Sequence, residues 1–257
     1  MDIKLCLTEW KTMSSYFNLA AYYDILTSNI SYSDRCKYFD GIIRRCGGKS
    51  KGVLLDLGCG TGTLCEEFSK CGYDVIGLDL SVEMLSVAAS KKQNDILYIC
   101  QDMRDIKLYN NADIVICALD GINHLLTEND VKKCFDSVYE NINDEGLFIF
   151  DVNTIYKHQN IMANNSFVYD FDNIYCVWSS TLCEDNIVNI DIDLFAGDGK
   201  LYARSGESFS ERAYNIEVLD ELLKNAGFTV LNHYDWDSDS EPHEKSEKII
   251  FVAKKER

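Results

Sequence analysis

The sequence predicts an α/β fold: a doubly wound, seven-stranded, mostly parallel sheet with an antiparallel β insertion. Three observations carry this. From about residue 53, short apolar runs alternate with segments of helical periodicity, the pattern of a parallel sheet covered on both faces. A glycine-rich turn, with Gly58, Gly60 and Gly62, joins the first run to the first helical segment. After about residue 166 the period becomes that of strands joined by tight turns, and helix and strand signals then return.

Taken in order, Val53–Leu57 is a short apolar run of the kind buried on both faces. Leu64, Phe68 and Cys71 follow at helical spacing, and Tyr73–Leu78 is a second strand. Ser81 can cap a helix that carries Met84, Leu85, Ala88 and Ala89 on one face. Ile96–Cys100 and Ala112–Leu119 are the third and fourth strands. Thr127 and Asp130 resemble a capping box, and Val131, Cys134, Phe135, Val138 and Ile142 form the stripe behind it. Leu147–Val152 is the fifth strand. The runs Phe167–Phe171, Ile174–Cys183, Ile187–Phe195 and Leu201–Phe209, separated by Asp, Asn and Gly turns, read as an antiparallel meander. A helix starts at Asn215 and is closed by Gly227. Phe228–Trp236 and Lys248–Ala253 complete the seven strands, with Asp237–Glu247 between them expected as a solvated loop. Residues before about 50 read as helical.

Composition narrows the function. The chain has 257 residues, enough for one large core or a core plus an inserted subdomain. No run of about 18 apolar residues occurs, so no membrane span is expected, and the first ten residues lack a signal-peptide pattern. The expected location is cytoplasmic. Eleven cysteines are scattered without a Cys-x-x-Cys pair, as expected of small hydrophobes kept reduced and not of a metal site. The net charge of −17 and the lack of a basic cluster argue against nucleic acid as partner. A neutral or cationic small molecule suits that field better.

The segment Asp56-Leu57-Gly58-Cys59-Gly60-Thr61-Gly62 carries the chemistry. A cofactor lying across the carboxyl end of a sheet must approach backbone closely, and glycines clear that space. Asp79 ends the second strand, where a carboxylate can accept hydrogen bonds from both ribose hydroxyls. A dinucleotide fingerprint requires its third glycine at position 63, which is Thr63 here. Asp56 is also out of place beside a pyrophosphate, but in place beside an ammonium and a sulfonium. No Gly-Lys-Ser/Thr follows, so the loop is not a P-loop.

The stretch V-L-L-D-L-G-C-G-T-G (53–62) resembles the first motif of class I S-adenosylmethionine-dependent methyltransferases. The resemblance extends to V-I-G-L-D-L-S-V-E-M-L (75–85), Q-D-M (101–103), A-L-D-G-I-N-H-L-L (118–126) and F-D-V-N (150–153). It implies a Rossmann-like methyltransferase fold with S-adenosylmethionine as cofactor. By position, Gly58, Gly60 and Gly62 would line its methionine and ribose portions, and Asp56 would lie near its amino end. Asp79 would bind the ribose. Leu80, Asp102 and Met103 would surround the adenine, Met84 would also contact the cofactor, and Leu119 would face the methionine portion. The implied organisation is a helical cover over 1–50, a cofactor-binding domain over 51–155 and 213–257, and a β lid over 166–212.

Motifs at the end of the fourth strand exclude two subfamilies as written. The [DNS]-P-P-[YF] signature and the Pro-Cys nucleophile both need a proline there, and the only proline is Pro242. No metal-ligand cluster is evident. The segment Y-F-N-L-A-A-Y-Y-D (16–24) resembles the entry helix of small-molecule methyltransferases, among them amino-sugar N-methyltransferases. Tyr16 and Tyr23 would line the cofactor cover. His124 is the expected general base, because it follows the fourth strand and histidine titrates nearest neutral pH. Arg212 and Asp191 are candidate substrate contacts, Arg212 holding an anionic group or tying the lid to the sheet. The expected activity is methyl transfer to a nitrogen or oxygen of a small molecule. A protein or RNA methyltransferase, or a non-catalytic cofactor-binding domain, are the alternatives. The oligomeric state is not encoded in any motif.

Overall fold

The computed structural model describes residues 16–91, 95–197, 200–236 and 238–257. Helices α1 (Tyr16–Leu26) and α2 (Tyr32–Arg45) precede the alternating series β1 (Val53–Leu57), α3 (Thr63–Lys70), β2 (Asp74–Asp79), α4 (Val82–Ser90), β3 (Leu97–Cys100) and β4 (Ala112–Cys117). A short 3₁₀ turn, Gly121–His124, leads to α5 (Glu128–Asn141) and β5 (Ile142–Asn153). After α6 (Ile155–Lys157) and a π-helical turn, His158–Met162, the chain forms β6 (Ser166–Phe171), β7 (Ile174–Leu182), β8 (Ile187–Gly197) and β9 (Tyr202–Arg212). It closes with α7 (Ile216–Ala226), β10 (Phe228–Asp235) and β11 (Lys248–Lys255).

Seven strands form one sheet in the order β10-β11-β5-β4-β1-β2-β3, and β6-β7-β8-β9 form a second. In the first sheet only β11 runs antiparallel to its neighbours. Alternate residues of each strand feed opposite layers. Leu54, Ile114 and Ile149 pack with Phe39 and Ile43 of α2 and Phe68 of α3. Leu55, Val115 and Phe148 pack on the other face with Phe135 of α5 and Leu219 of α7. β4 is buried at all six positions and apolar at five of them; the exception, Asp113, accepts from Val53 N and Lys49. The chain order reverses between β1 and β4, and the carboxyl ends of strands at such a switch point open a crevice.

The predicted caps form. Ser81 Oγ accepts from Met84 N, Thr127 Oγ1 accepts from Asp130 N, and Gly227 closes α7 at φ 104°. Three local readings need correction. Ala89 is exposed, so the buried face of α4 is Met84, Leu85 and Ala88. Cys71 is the exposed C-cap of α3, and Ile142 is the first residue of β5, not the last of a helix. Ile142 pairs with Ala112, and the register then jumps to Leu147 opposite Ile114, with Glu145 at φ 65° in the bulge. Within 238–247 most residues are at least partly exposed, but Ser246 is buried and its carbonyl accepts from Thr154 Oγ1.

The meander packs its inner face on Leu19 of α1 and Met162, with Ile190, Ile192 and Leu194 between them. No described helix is long and apolar enough to cross a membrane. Phe150 is fully buried among Phe135, Phe148 and Phe251, with ring centroids at 5.3, 4.9 and 4.9 Å. Phe150→Ala is therefore expected to cost about 3–5 kcal/mol in urea unfolding, as a cavity that the surrounding rings fill only in part.

Candidate functional site

A cavity of about 1650 Å³ lies over the carboxyl ends of β1, β2 and β4, beneath the inner face of β6–β9. The turn between β1 and α3 forms its floor. Gly58, Gly60 and Gly62 all have left-handed backbone, at φ 71°, 54° and 73°. They differ in what a side chain would meet. A Cβ on Gly60 would meet no atom within 4 Å, so the loop faces open space there. A Cβ on Gly62 would fall 2.4 Å from Tyr98 Oη and 3.0 Å from Ala88 Cβ. Gly62 thus serves the packing of α3 on α4 and β3 and does not line the cavity, which corrects its expected place.

Asp79 binds this turn to β2. One carboxylate oxygen accepts from Gly60 N and the other from Ser81 N, both at 2.8 Å. Asp56 is buried at the end of β1, and its hydrogen bond comes from the Cys65 thiol at 3.1 Å. Burial pushes its carboxyl up to about 7, the weak thiol bond opposing and the nearby Asp79 adding to the rise. Leu80 is 67% exposed at the cavity rim, where Met84 and Met103 also sit. Asp102 faces the cavity but already accepts from Arg104 Nη2 at 2.6 Å, and Arg104 holds its carboxyl below the usual range.

The end of β4 is held in an unusual turn. Leu119 and Asp120 both have positive φ, 58° and 65°, a conformation that costs non-glycine residues about 1–3 kcal/mol each. The fully buried Asp151 carboxylate accepts from Leu119 N at 2.7 Å and Asp120 N at 3.0 Å and so offsets that strain. Lys248 of β11 bonds Asp120 and reaches Asp151 at 3.3 Å. Burial raises the Asp120 carboxyl, but Lys248 and Lys157 outweigh it and hold it at about 2. For Asp151 burial prevails and the carboxyl is pushed up. His124 ends the following turn, exposed to the cavity, with its ring 5.2 Å from that of Phe209 on β9. Its imidazole makes no hydrogen bond to backbone among the described residues, unlike that of His158.

The sequence-derived candidates therefore divide. Asp56, Gly58, Gly60, Asp79, Leu80, Met84, Asp102, Met103, Leu119 and His124 line one cavity, and so does Tyr23, whose phenol burial pushes up. Tyr16 starts α1, but its side chain lies outside the described residues. Arg212 does not line the cavity. Its Nη1 donates to Leu126 O at 3.1 Å, its Nη2 lies 3.8 Å from Glu128, and the guanidinium sits over Tyr214, so it ties the end of β9 to the loop that enters α5. Asp191 points to the outer face of β8 and accepts from Ser208 Oγ, because Ile190 and Ile192 take the inward positions.

Sequence reasoning missed the latch made by Asp24, the last residue of the quoted entry-helix segment. It accepts from Thr61 Oγ1 and Thr63 Oγ1 and pairs with Lys91 at 2.8 Å, joining α1 to the glycine turn. It also missed Lys248, which lies 128 residues from Asp120 and carries no local signal.

Residues 54–146 match the model of the methyltransferase domain family. The chain is 33% identical over 246 residues to the putative methyltransferase YqeM of Bacillus subtilis, covering 94% of this chain and 98% of that one. A solved S-adenosylmethionine-dependent methyltransferase from Clostridium acetobutylicum superposes with a TM-score of 0.84 at 29% identity, covering 92% of this chain and 97% of that one. The sugar N-methyltransferase KedS8 from Streptoalloteichus shares the fold, with a TM-score of 0.76 at 17% identity over 91% of this chain and 93% of that one.

The two kinds of glycine give separable effects. Gly60→Ala should cost only the strain of a left-handed alanine, about 1 kcal/mol. Gly62→Ala adds a steric conflict with Tyr98 and should cost about 1–3 kcal/mol more in chemical denaturation. Equal losses in the two variants would contradict the packing role of Gly62.

Proposed function

The chain belongs to the class I S-adenosylmethionine-dependent methyltransferases, and on that premise we propose that it methylates a nitrogen or oxygen of a small molecule held beneath the β6–β9 sheet. One observation carries the proposal. His124 and the glycine turn share a single cavity whose roof is Tyr169, Trp178 and Phe209 of the second sheet. A roofed site favours an acceptor that fits inside it over a folded protein or RNA. The fold shared with a sugar N-methyltransferase supports the same reading.

The residues present suit the cofactor. The turn at Gly58 and Gly60 opens on the cavity, and two acidic groups stand where a cationic ligand needs them. S-adenosylmethionine, when bound, supplies an electrophilic methyl group on a sulfonium. Asp56 would receive its amino group, Asp79 its ribose hydroxyls, and Leu80, Met84 and Met103 its adenine. Asp102 keeps lone pairs for the adenine amine beyond those that Arg104 occupies. His124 takes the proton that an amine or hydroxyl acceptor must lose, and Phe209 fixes the plane of its ring. The second sheet, over 166–212, and the N-terminal helices exclude water and align the acceptor, which is most of what an in-line displacement requires.

Two variants test this. Asp79→Ala should weaken S-adenosylmethionine binding in calorimetry by about 10²-fold or more, since two charge-assisted hydrogen bonds of about 1.5–3 kcal/mol each are lost. Unchanged affinity would remove Asp79 from the ribose. His124→Ala should leave that affinity nearly intact and lower kcat by about 10²–10⁴-fold. A raised KM with kcat unchanged would make His124 a substrate-binding group and not a base.

A further inference from the structure

Two carboxylates of β9 point from the second sheet into the cavity, and they differ in how they are satisfied. Glu211 accepts from Asn153 Nδ2 at 2.9 Å and lies 3.7 Å from His158 Nε2. Glu207 is only 8% exposed, and its Oε2 is buried with no hydrogen-bond partner. Among the described residues no Lys, Arg or His lies within ion-pair distance of it. Burial alone pushes its carboxyl up to about 7.

The register shows what surrounds it. Trp178, Ile192 and Glu207 stand opposite one another across β7, β8 and β9. Phe209 follows on the same face of β9, one strand repeat further, and is T-stacked on Trp178 at 6.0 Å between centroids. Nothing in this apolar row requires a carboxylate. A buried carboxylate without a partner is costly, and it is retained where a ligand completes it. A cation there gains both the carboxylate and the aromatic faces beside it.

We propose that Glu207 recognises an ammonium group on the methyl acceptor, with Trp178 and Phe209 as its aromatic walls, so that the substrates are small amines. This rests on the small-molecule reading above and narrows it. Because His124 packs against Phe209, the recognised cation lies on the same side of the cavity as the proposed base. Recognition forms and breaks no covalent bond: the ammonium donates a hydrogen bond and the Glu207 oxygen accepts it.

The test uses the full chain loaded with S-adenosylhomocysteine and titrated with benzylamine and with benzyl alcohol, both at up to millimolar concentrations, by calorimetry. The amine should bind about tenfold or more tightly than the alcohol. Glu207→Gln should bring that ratio near one without changing S-adenosylhomocysteine affinity, and Glu207→Asp should retain part of it. Asp191→Asn, on the outer face of the sheet, should leave it unchanged. A wild-type ratio near one, no amine binding, or an amine preference that survives in Glu207→Gln overturns the proposal, and the wild-type ratio stands even if a variant does not fold. Tight alcohol binding, with methylation of the alcohol once S-adenosylmethionine replaces S-adenosylhomocysteine, would sink the role of Glu207 while leaving small-molecule methyl transfer intact. Failure to bind S-adenosylhomocysteine would overturn both.

Discussion

Negative charge at the carboxyl edge of the central sheet exceeds the positive charge the chain places against it. Nine Asp and Glu side chains line the cavity against four Lys and Arg. Arg104 is committed to Asp102, and Lys248 to Asp120 and Asp151. Among the described residues no cation pairs with the buried Asp56 or Glu207. In a medium of low dielectric such groups either keep a proton or await a positive ligand. A methyl donor that carries both a sulfonium and an ammonium answers that imbalance, and an amine acceptor answers it again on the other wall.

The rest of the architecture keeps those carboxylates in place. The parallel order around β1 brings the ends of β1, β2 and β4 to one crevice. Asp79 fixes the glycine turn through Gly60 N, and Asp151 fixes the strained turn at Leu119 and Asp120. Asp24 latches α1 to Thr61 and Thr63, and Leu19, Tyr23 and Leu26 of that helix line the cavity. Lys91 pairs with Asp24 and Lys248 reaches Asp151, whereas Asp79 is held by backbone N–H groups, which do not neutralise it.

Much of this was legible in the sequence, for physical reasons that differ by element. β4 reads plainly because a strand buried on both faces is mostly apolar, here broken only by Asp113, and the meander reads plainly because its turns are spelled in Asp, Asn and Gly. Gly58, Gly60 and Asp79 were legible because close backbone approach, and the ribose contact proposed for Asp79, restrict residue type. Gly62 belongs to the same motif, but its constraint is Tyr98, which only the packing of β3 against α3 reveals. Asp191 was misplaced because alternation fixes which residues share a face and not which face looks inward. Glu207 and Lys248 went unseen because the first sits among polar residues along β9, where nothing in the pattern marks it as inward-facing, and the other reaches its partner across the sheet.

The most direct test of an under-neutralised edge is the proton balance when the cofactor binds. With a carboxyl near 7 in the free protein, Asp56 is mostly protonated at pH 6.5, and an ammonium placed beside it favours the ionised form. Titrating S-adenosylmethionine at that pH in buffers of different ionisation heat should therefore show release of roughly three-quarters of a proton. The release should vanish in Asp56→Asn, with weaker binding remaining. Binding without proton release in the wild-type chain, or the same release in Asp56→Asn, would contradict the account.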